Sequence, residues 1–330
     1  MKKFAICLTL MIHAGFLWAQ HADIHASFRH IADNREYFSD YGHHQTILGA
    51  RLNTLAGFHY DTVHSVQLGL NYLYEYGYRP DAYPPTLNLF YRYRQKPFEL
   101  YFGSFPRKGL LNYPLVLLTD TLSYYRPNLE GGLARISWKH GFQTLWIDWT
   151  SRKTRNSRET FLTGFSGSMM MNGFYLDNYF YMLHQAGYAI DRPGDNIRDN
   201  GGGAAFLGYD MSKHLSRAAI RMDAGYVVTY DRIRPGDFSY YHGFMTRLKS
   251  RYQRIGLDAV YYQGGKPLLL YGDPLYSSGH YIRIDPYIIP FARDYIESKI
   301  ALGIHVIDGE INLSQQILFT VDFFKKQYNL

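Results

Sequence analysis

The residues best suited to chemistry are numerous in this chain, but they are scattered. Fourteen histidines include His21, His25, His30 and the adjacent pair His43 and His44, and Ser123 follows Asp120 closely. Hydrolysis needs a nucleophile, a base and an orienting group in mutual reach, and no serine motif or paired-acid motif picks out such a set. His21 and His25 have the spacing of two metal ligands on a helix, but they sit at the start of a strand pattern, which that spacing does not suit. The stretch Asp195 to Gly201 partly matches a calcium loop. Ile197 and Arg198 occupy positions that need oxygen ligands, so it reads as a solvated turn. The residues by themselves therefore predict no catalytic residue, no metal site, no cofactor and no enzymatic activity.

A second set of residues carries charge. Counting along alternating segments puts Arg51, Arg92, Arg94, Arg107, Arg221, Arg247, Lys249, Arg251, Arg283 and Lys299 on one polar face, together with Glu75, Glu99, Asp148, Asp223, Asp258, Asp285 and Asp322. Two readings stay open. The arginines can form ladders with the carboxylates that brace a wall, or they can raise the local concentration of anions in a water-filled space. Phe90, Tyr101, Phe105 and Tyr262 share that face, and with Tyr124 and Tyr125 they could stack sugar rings; in a chain with 32 tyrosines, chance clustering explains them better. Trp138, Trp146 and Trp149 fit an aromatic girdle at a lipid interface.

The elements that must carry these residues are strands. Val66, Leu68, Leu70, Tyr72 and Tyr74 alternate with Ser65, Gln67, Gly69, Asn71 and Glu75, a period of two that gives a sheet one oily and one wet surface. The same alternation recurs through about sixteen segments, near 22–33, 45–59, 63–76, 85–95, 97–106, 129–139, 142–152, 159–171, 174–189, 201–211, 216–230, 239–251, 254–263, 279–290, 294–307 and 310–324. Connections after even segments are short, such as Asn172-Gly173, and those after odd segments are longer, such as Ile190 to Asn200. The expected fold class is therefore all-β: a transmembrane antiparallel barrel with oil outside and water inside, short turns on the periplasmic side and long loops outside.

Composition agrees. Within 330 residues the chain has 32 Tyr, 21 Phe and 30 Gly, and no later segment has the ~18 continuous apolar residues of a spanning helix. Residues 1–19 read as a signal peptide, with Lys2 and Lys3 before an apolar run, leaving 20–330 as one barrel domain. Cys7 is the single cysteine, so the mature chain would hold no disulfide. The formal charge of +7 falls to +5 without Lys2 and Lys3, too modest an excess to suggest nucleic acid as a partner. The C-terminal run Phe323 to Leu330 lacks a terminal aromatic, so either the last strand extends toward Tyr328 or a tail follows Phe324.

With these features, the chain resembles the sixteen-stranded porins of Gram-negative outer membranes. The resemblance is architectural and spans the whole mature chain. In such porins the loop after the fifth strand folds inward and narrows the pore. Here the corresponding connection, Arg107 to Asn128, is the longest, and it carries Leu115-Val116-Leu117-Leu118, Asp120, Tyr124, Tyr125 and Arg126. The resemblance implies a passive channel in the cell outer membrane for small hydrophilic solutes, with a preference for anions such as acidic sugars. Arg51, Arg92, Arg94, Arg107, Arg221, Arg247, Lys249 and Arg283 would line it, and Asp120, Tyr124, Tyr125 and Arg126 would form the constriction. Outer-membrane lipids and a homotrimer would be its partners. The alternatives are a closed barrel sealed by that loop, serving as a surface receptor or assembly component, and a barrel enzyme.

Overall fold

The alternation is realised as one continuous antiparallel sheet. A computed structural model describes residues 21–79, 81–190, 192 and 194–329, so the signal-peptide expectation for 1–19 lies outside the described residues. The strands are β1 His21–Glu36, β2 Gln45–His59, β3 His64–Glu75, β4 Thr86–Gln95, β5 Phe98–Pro106, β6 Asn128–Trp138, β7 Gly141–Ser151 and β8 Thr160–Met171. They continue with β9 Phe174–Gln185, β10 Arg198–Asp210, β11 Ala218–Ile233, β12 Ser239–Tyr252, β13 Ile255–Gly264 and β14 His280–Ile288. The last are the two-residue β15 Ala292–Arg293, β16 Ile296–Ile307 and β17 Glu310–Asn329. β1 pairs with both β2 and β17, which closes the sheet on itself. Because β15 only continues the path of β14 along β16, the wall is a closed barrel of 16 strands. β17 runs through Tyr328, the longer of the two C-terminal readings.

Closure leaves no unpaired strand edge, the condition for β structure to sit in hydrocarbon. Among the described residues no helix is long and apolar enough to cross a membrane, and the strands do the crossing. In β3 the oily residues Val66, Leu70 and Tyr74 are exposed on the outer surface while Ser65, Gln67 and Asn71 are buried inside. Exposed aromatics gather at both ends of the strands, with Tyr60, Phe98, Trp138 and Tyr252 at the short-turn end and Tyr74, Tyr76, Trp149 and Tyr240 at the long-loop end. These are the two interfacial belts. Trp146 does not belong to them. It is 2% exposed, points inward, and donates from Nε1 to Tyr113 Oη at 2.8 Å. Strand parity decides this: Trp146 shares the face of Thr144 and Asp148, not that of Leu145 and Trp149.

The loop after β5 enters the barrel and fills much of it. Leu111, Val116, Leu117, Leu118 and Leu122 join inward residues of most strands, including Phe105, Leu133, Trp146, Phe206, Met245 and Tyr262, in one buried cluster. Tyr124, within the helical turn Leu122–Tyr125, joins Ile31, Ile47 and Leu73 on the opposite wall. An apolar loop of this kind is stabilised by burial rather than left in water. A second loop, between β13 and β14, locks it in place. Thr119 N donates to Tyr271 O at 2.8 Å and Asp273 N to Leu115 O at 2.9 Å. A side chain at Gly272 would come within 2.5 Å of Val116 O, so the backbones meet there because glycine has no Cβ.

Candidate functional site

Three neighbouring strands bring a serine hydroxyl, an imidazole and a phenol together inside the extracellular half of the barrel. On β17, β16 and β14 the inward positions include Ser314, His305 and Tyr281. Ser314 Oγ lies 3.0 Å from His305 Nε2, and His305 Nδ1 lies 2.6 Å from Tyr281 Oη. The Tyr281 ring stacks parallel to the imidazole at an interplanar angle of 3°, and Tyr37 packs edge-on at 5.2 Å. The proton on His305 decides what the set can do. With it on Nδ1, donated to Tyr281 Oη, Nε2 is free to accept the Ser314 hydroxyl proton.

Gly303 makes room for this arrangement. A Cβ there would lie 2.2 Å from Ser314 Oγ, 2.8 Å from His305 Nε2 and 3.1 Å from Asp285 Oδ1. Asp285 receives Arg283 Nε on Oδ2 at 2.7 Å, while its Oδ1 is buried without a partner. The wall itself is loosened at this point. Pairing between β14 and β16 skips Asp285 and Pro286 opposite Leu302 and Gly303, because proline has no N–H to give to the ladder. Leu302 and Gly303 fall at the middle of β16, so this break lies near mid-wall.

An ionic network ties the inserted loop to the same region. Arg35 binds Asp33 at 2.7 Å and Asp120 at 2.9 Å, and Gln316 Nε2 donates to Asp33 Oδ2 at 3.0 Å. Burial opposes the charge on Asp120, but Arg35, with Arg283 behind it, holds that carboxyl below its usual range. Asp273, from the second loop, behaves in the opposite way: burial pushes it up to about 6, with Arg283 at 3.9 Å resisting.

Most of the arginines expected to line a pore are paired with carboxylates. Arg221 binds Asp177 at 2.7 Å, Arg247 binds Asp223 at 2.7 Å, Arg283 binds Asp285 at 2.7 Å and Arg94 binds Glu99 at 3.3 Å. Arg107 bonds Asp148. Lys249 is exposed, whereas Arg92 keeps a buried Nε without a partner. In the loop, Tyr125 Oη reaches Glu75 Oε1 at 3.5 Å and Arg126 Nη1 donates to Thr150 O at 3.3 Å. Arg51 differs: its side chain donates only to Asn71 Oδ1. The residues considered first in the sequence stay apart. His25 meets Asp322 at 3.2 Å, His21 stacks on His59, and Asp195 is held by Arg158 at 2.6 Å. Among the described residues no group of three or more His, Cys, Asp or Glu is placed to hold a metal.

The fold and its belts define an outer-membrane β-barrel. Solved structures agree on the fold: OmpT of Vibrio cholerae with loop L8 deleted (TM-score 0.58, 9% identity, 92% of this chain and 100% of that one), an anion-selective porin from Comamonas acidovorans (0.56, 8%, 92% and 100%), and OmpF of Salmonella typhi (0.54, 12%, 91% and 97%). At such identities the likeness is one of fold alone. No curated protein matches the chain in sequence. The model of the lipid A 3'-O-deacylase-type family matches residues 19–328, and the chain belongs to that family. Membership in a family named for an enzymatic activity overturns the expectation that this barrel does no chemistry.

Ser314, His305 and Tyr281 were not singled out by sequence. Alternation already turns Ser314 and His305 inward, but their proximity depends on the register of three strands, and no local motif records that. Arg29, also inward, was missed for the same reason.

Proposed function

We propose that this barrel hydrolyses an O-acyl ester of lipid A, the acylated glycolipid of the outer leaflet. Ser314 is the nucleophile, His305 the general base and Tyr281 a positioning residue that holds the imidazole. Ser314 Oγ attacks the ester carbonyl and passes its proton to His305 Nε2. The sugar oxygen leaves with that proton, and water then releases the fatty acid from the serine. The observation that carries this reading is the Ser314–His305–Tyr281 chain of hydrogen bonds beside a break in the wall. An acyl chain in the membrane is reached most directly through such a break, where Gly303 offers no side chain.

Mass spectrometry of lipid A from cells producing the protein tests this. The intact chain should remove one acyl group, and Ser314→Ala and His305→Gln should abolish the removal with the barrel still folded. Undiminished deacylation by folded Ser314→Ala would falsify the assignment of the nucleophile. A second reading, a solute channel, is favoured by the inward arginines and the porin-like fold. Stepwise conductance in planar bilayers, with anion bias reduced in Arg92→Glu/Arg94→Glu, supports it; no conductance from a folded barrel removes it.

A further inference from the structure

Three adjacent loops at the long-loop end join β7 to β8, β9 to β10 and β11 to β12. Their charges fall into two sets. One set is paired: Arg158 binds Asp195 at 2.6 Å, Arg198 binds Asp231 at 2.8 Å and Arg234 binds Asp199 at 2.9 Å. The Arg158–Asp195 pair and a bond from Ala189 N to Thr154 O at 2.9 Å fasten the first two loops into one platform. The other set is free and cationic. Arg152, Lys153 and Arg155 are exposed on the first loop, and among the described residues their side chains form no hydrogen bond or ion pair. Arg232 on β11 shares the outward parity of Met222 and Tyr226. It donates from Nε to Gly236 O at 2.9 Å and lies 4.9 Å from the ring centre of the exposed Phe238. Among the described residues of these loops, only Glu159 and Asp237 are carboxylates without a cation. Across the barrel the rim is reversed: Glu36, Asp40, Asp308 and Glu310 are exposed, and 36–45 and 307–311 hold no Lys or Arg.

Depth decides what this surface meets. Arg152 follows Trp149 of the outer aromatic belt by three residues, about 10 Å of chain. Belt aromatics sit at headgroup level, so the free cations stand in the headgroup layer of the outer leaflet. We propose that the rim over β7–β12 docks the phosphate-bearing headgroups of outer-leaflet glycolipid, held as bound lipid and not as substrate. Phosphate is the acceptor that a guanidinium fork fits best, with two oxygens to a fork. Because these cations carry no ion pair within the protein, a phosphate gains their attraction without breaking one. Arg232 faces outward beside the apolar Phe238, which favours an amphiphile over a soluble anion. β14, β16 and β17, which carry the proposed ester-cleaving residues, lie on another part of the ring, so this lipid is not the one being cleaved.

Native mass spectrometry of the full-length refolded barrel in detergent, without divalent cations, tests this with bis-phosphorylated lipid A as probe. The same lipid with its phosphates removed is the control, and Ser314→Ala is measured beside the intact chain so that turnover of the probe is not misread. Adducts of the phosphorylated lipid are expected, with the dephosphorylated form retained about tenfold less. The triple variant Arg152→Gln/Lys153→Gln/Arg155→Gln should weaken apparent affinity on the order of a hundredfold, and Arg232→Gln about fivefold. Arg79→Gln, on the β3–β4 loop, should leave it unchanged. Heat-modifiable gel mobility identifies the folded variants, and Lys153→Gln with Arg232→Gln stands in if the triple variant does not fold. Equal retention of the two lipids overturns the proposal, as does wild-type affinity in the folded variants. Full displacement of the lipid by equimolar inorganic phosphate also overturns it, assigning the cations to a soluble anion. Binding is read without turnover, so a failure of the Ser314 assignment leaves this result standing, and loss of binding here leaves that assignment standing.

Discussion

At the scale of single residues, environment decides roles that residue type leaves open. Ser123 beside Asp120 is the more obvious pair in the sequence, yet Ser314 is the serine with a histidine 3.0 Å away. Among the carboxylates, Asp120 is ionised against Arg35, whereas Asp273 is pushed up to about 6 by burial. The raised value means that the folded chain holds a proton more tightly than the unfolded chain between about pH 6 and pH 4. Ionised Asp273 therefore lowers stability at pH 7, and that cost fades as pH falls through about 6. Asp273→Asn, which still offers an oxygen to Leu275 N, should raise unfolding stability at pH 7 by up to about 3 kcal/mol. The gain should shrink toward zero near pH 4 in urea titrations. A gain independent of pH would assign the effect to something other than this carboxyl.

At the scale of elements, the inserted loop is the part that differs most from a simple wall. Leu117 is 0% exposed at the centre of the buried cluster. Leu117→Ala should destabilise the barrel by about 2–5 kcal/mol through the cavity it leaves. The loop also fills much of the lumen, so removing residues 110–124 should give open, ohmic conductance in planar bilayers well above that of the intact chain. Equal conductance in the two would mean that the loop does not close the lumen. Its apolar run already signalled burial in the sequence. Its partners, the β13–β14 loop and Tyr124's contacts on β1 to β3, lie far away along the chain, and only folding brings them near.

At the scale of the whole molecule, the two surfaces of the barrel obey opposite rules. Leu70, midway along β3, faces outward and is exposed to lipid, while its neighbour Asn71 is buried inside. Leu70→Arg should cost about 2–4 kcal/mol in lipid-reconstituted unfolding experiments, whereas the same change at the inward, cavity-lining Asn53 should cost distinctly less. Similar costs at both positions would contradict the membrane orientation of the wall. The 16-strand closure also places the proposed ester-cleaving set toward the long-loop end of the barrel.

The sequence by itself determined the wall: its alternation, the positions of nearly all the strands, the long inward loop after β5 and the inward faces of Ser314, His305 and Arg51. These follow from local rules, since a strand turns successive residues to opposite sides whatever lies beside it. Tertiary structure alone decided which inward residues meet. The pairing of Gly303 with Ser314, of Arg283 with His305 and of Arg29 with Arg51 is set by register between strands. Parity along one strand carries no information about the offset of the next. That offset turned scattered serines, histidines and tyrosines into one candidate site for ester cleavage.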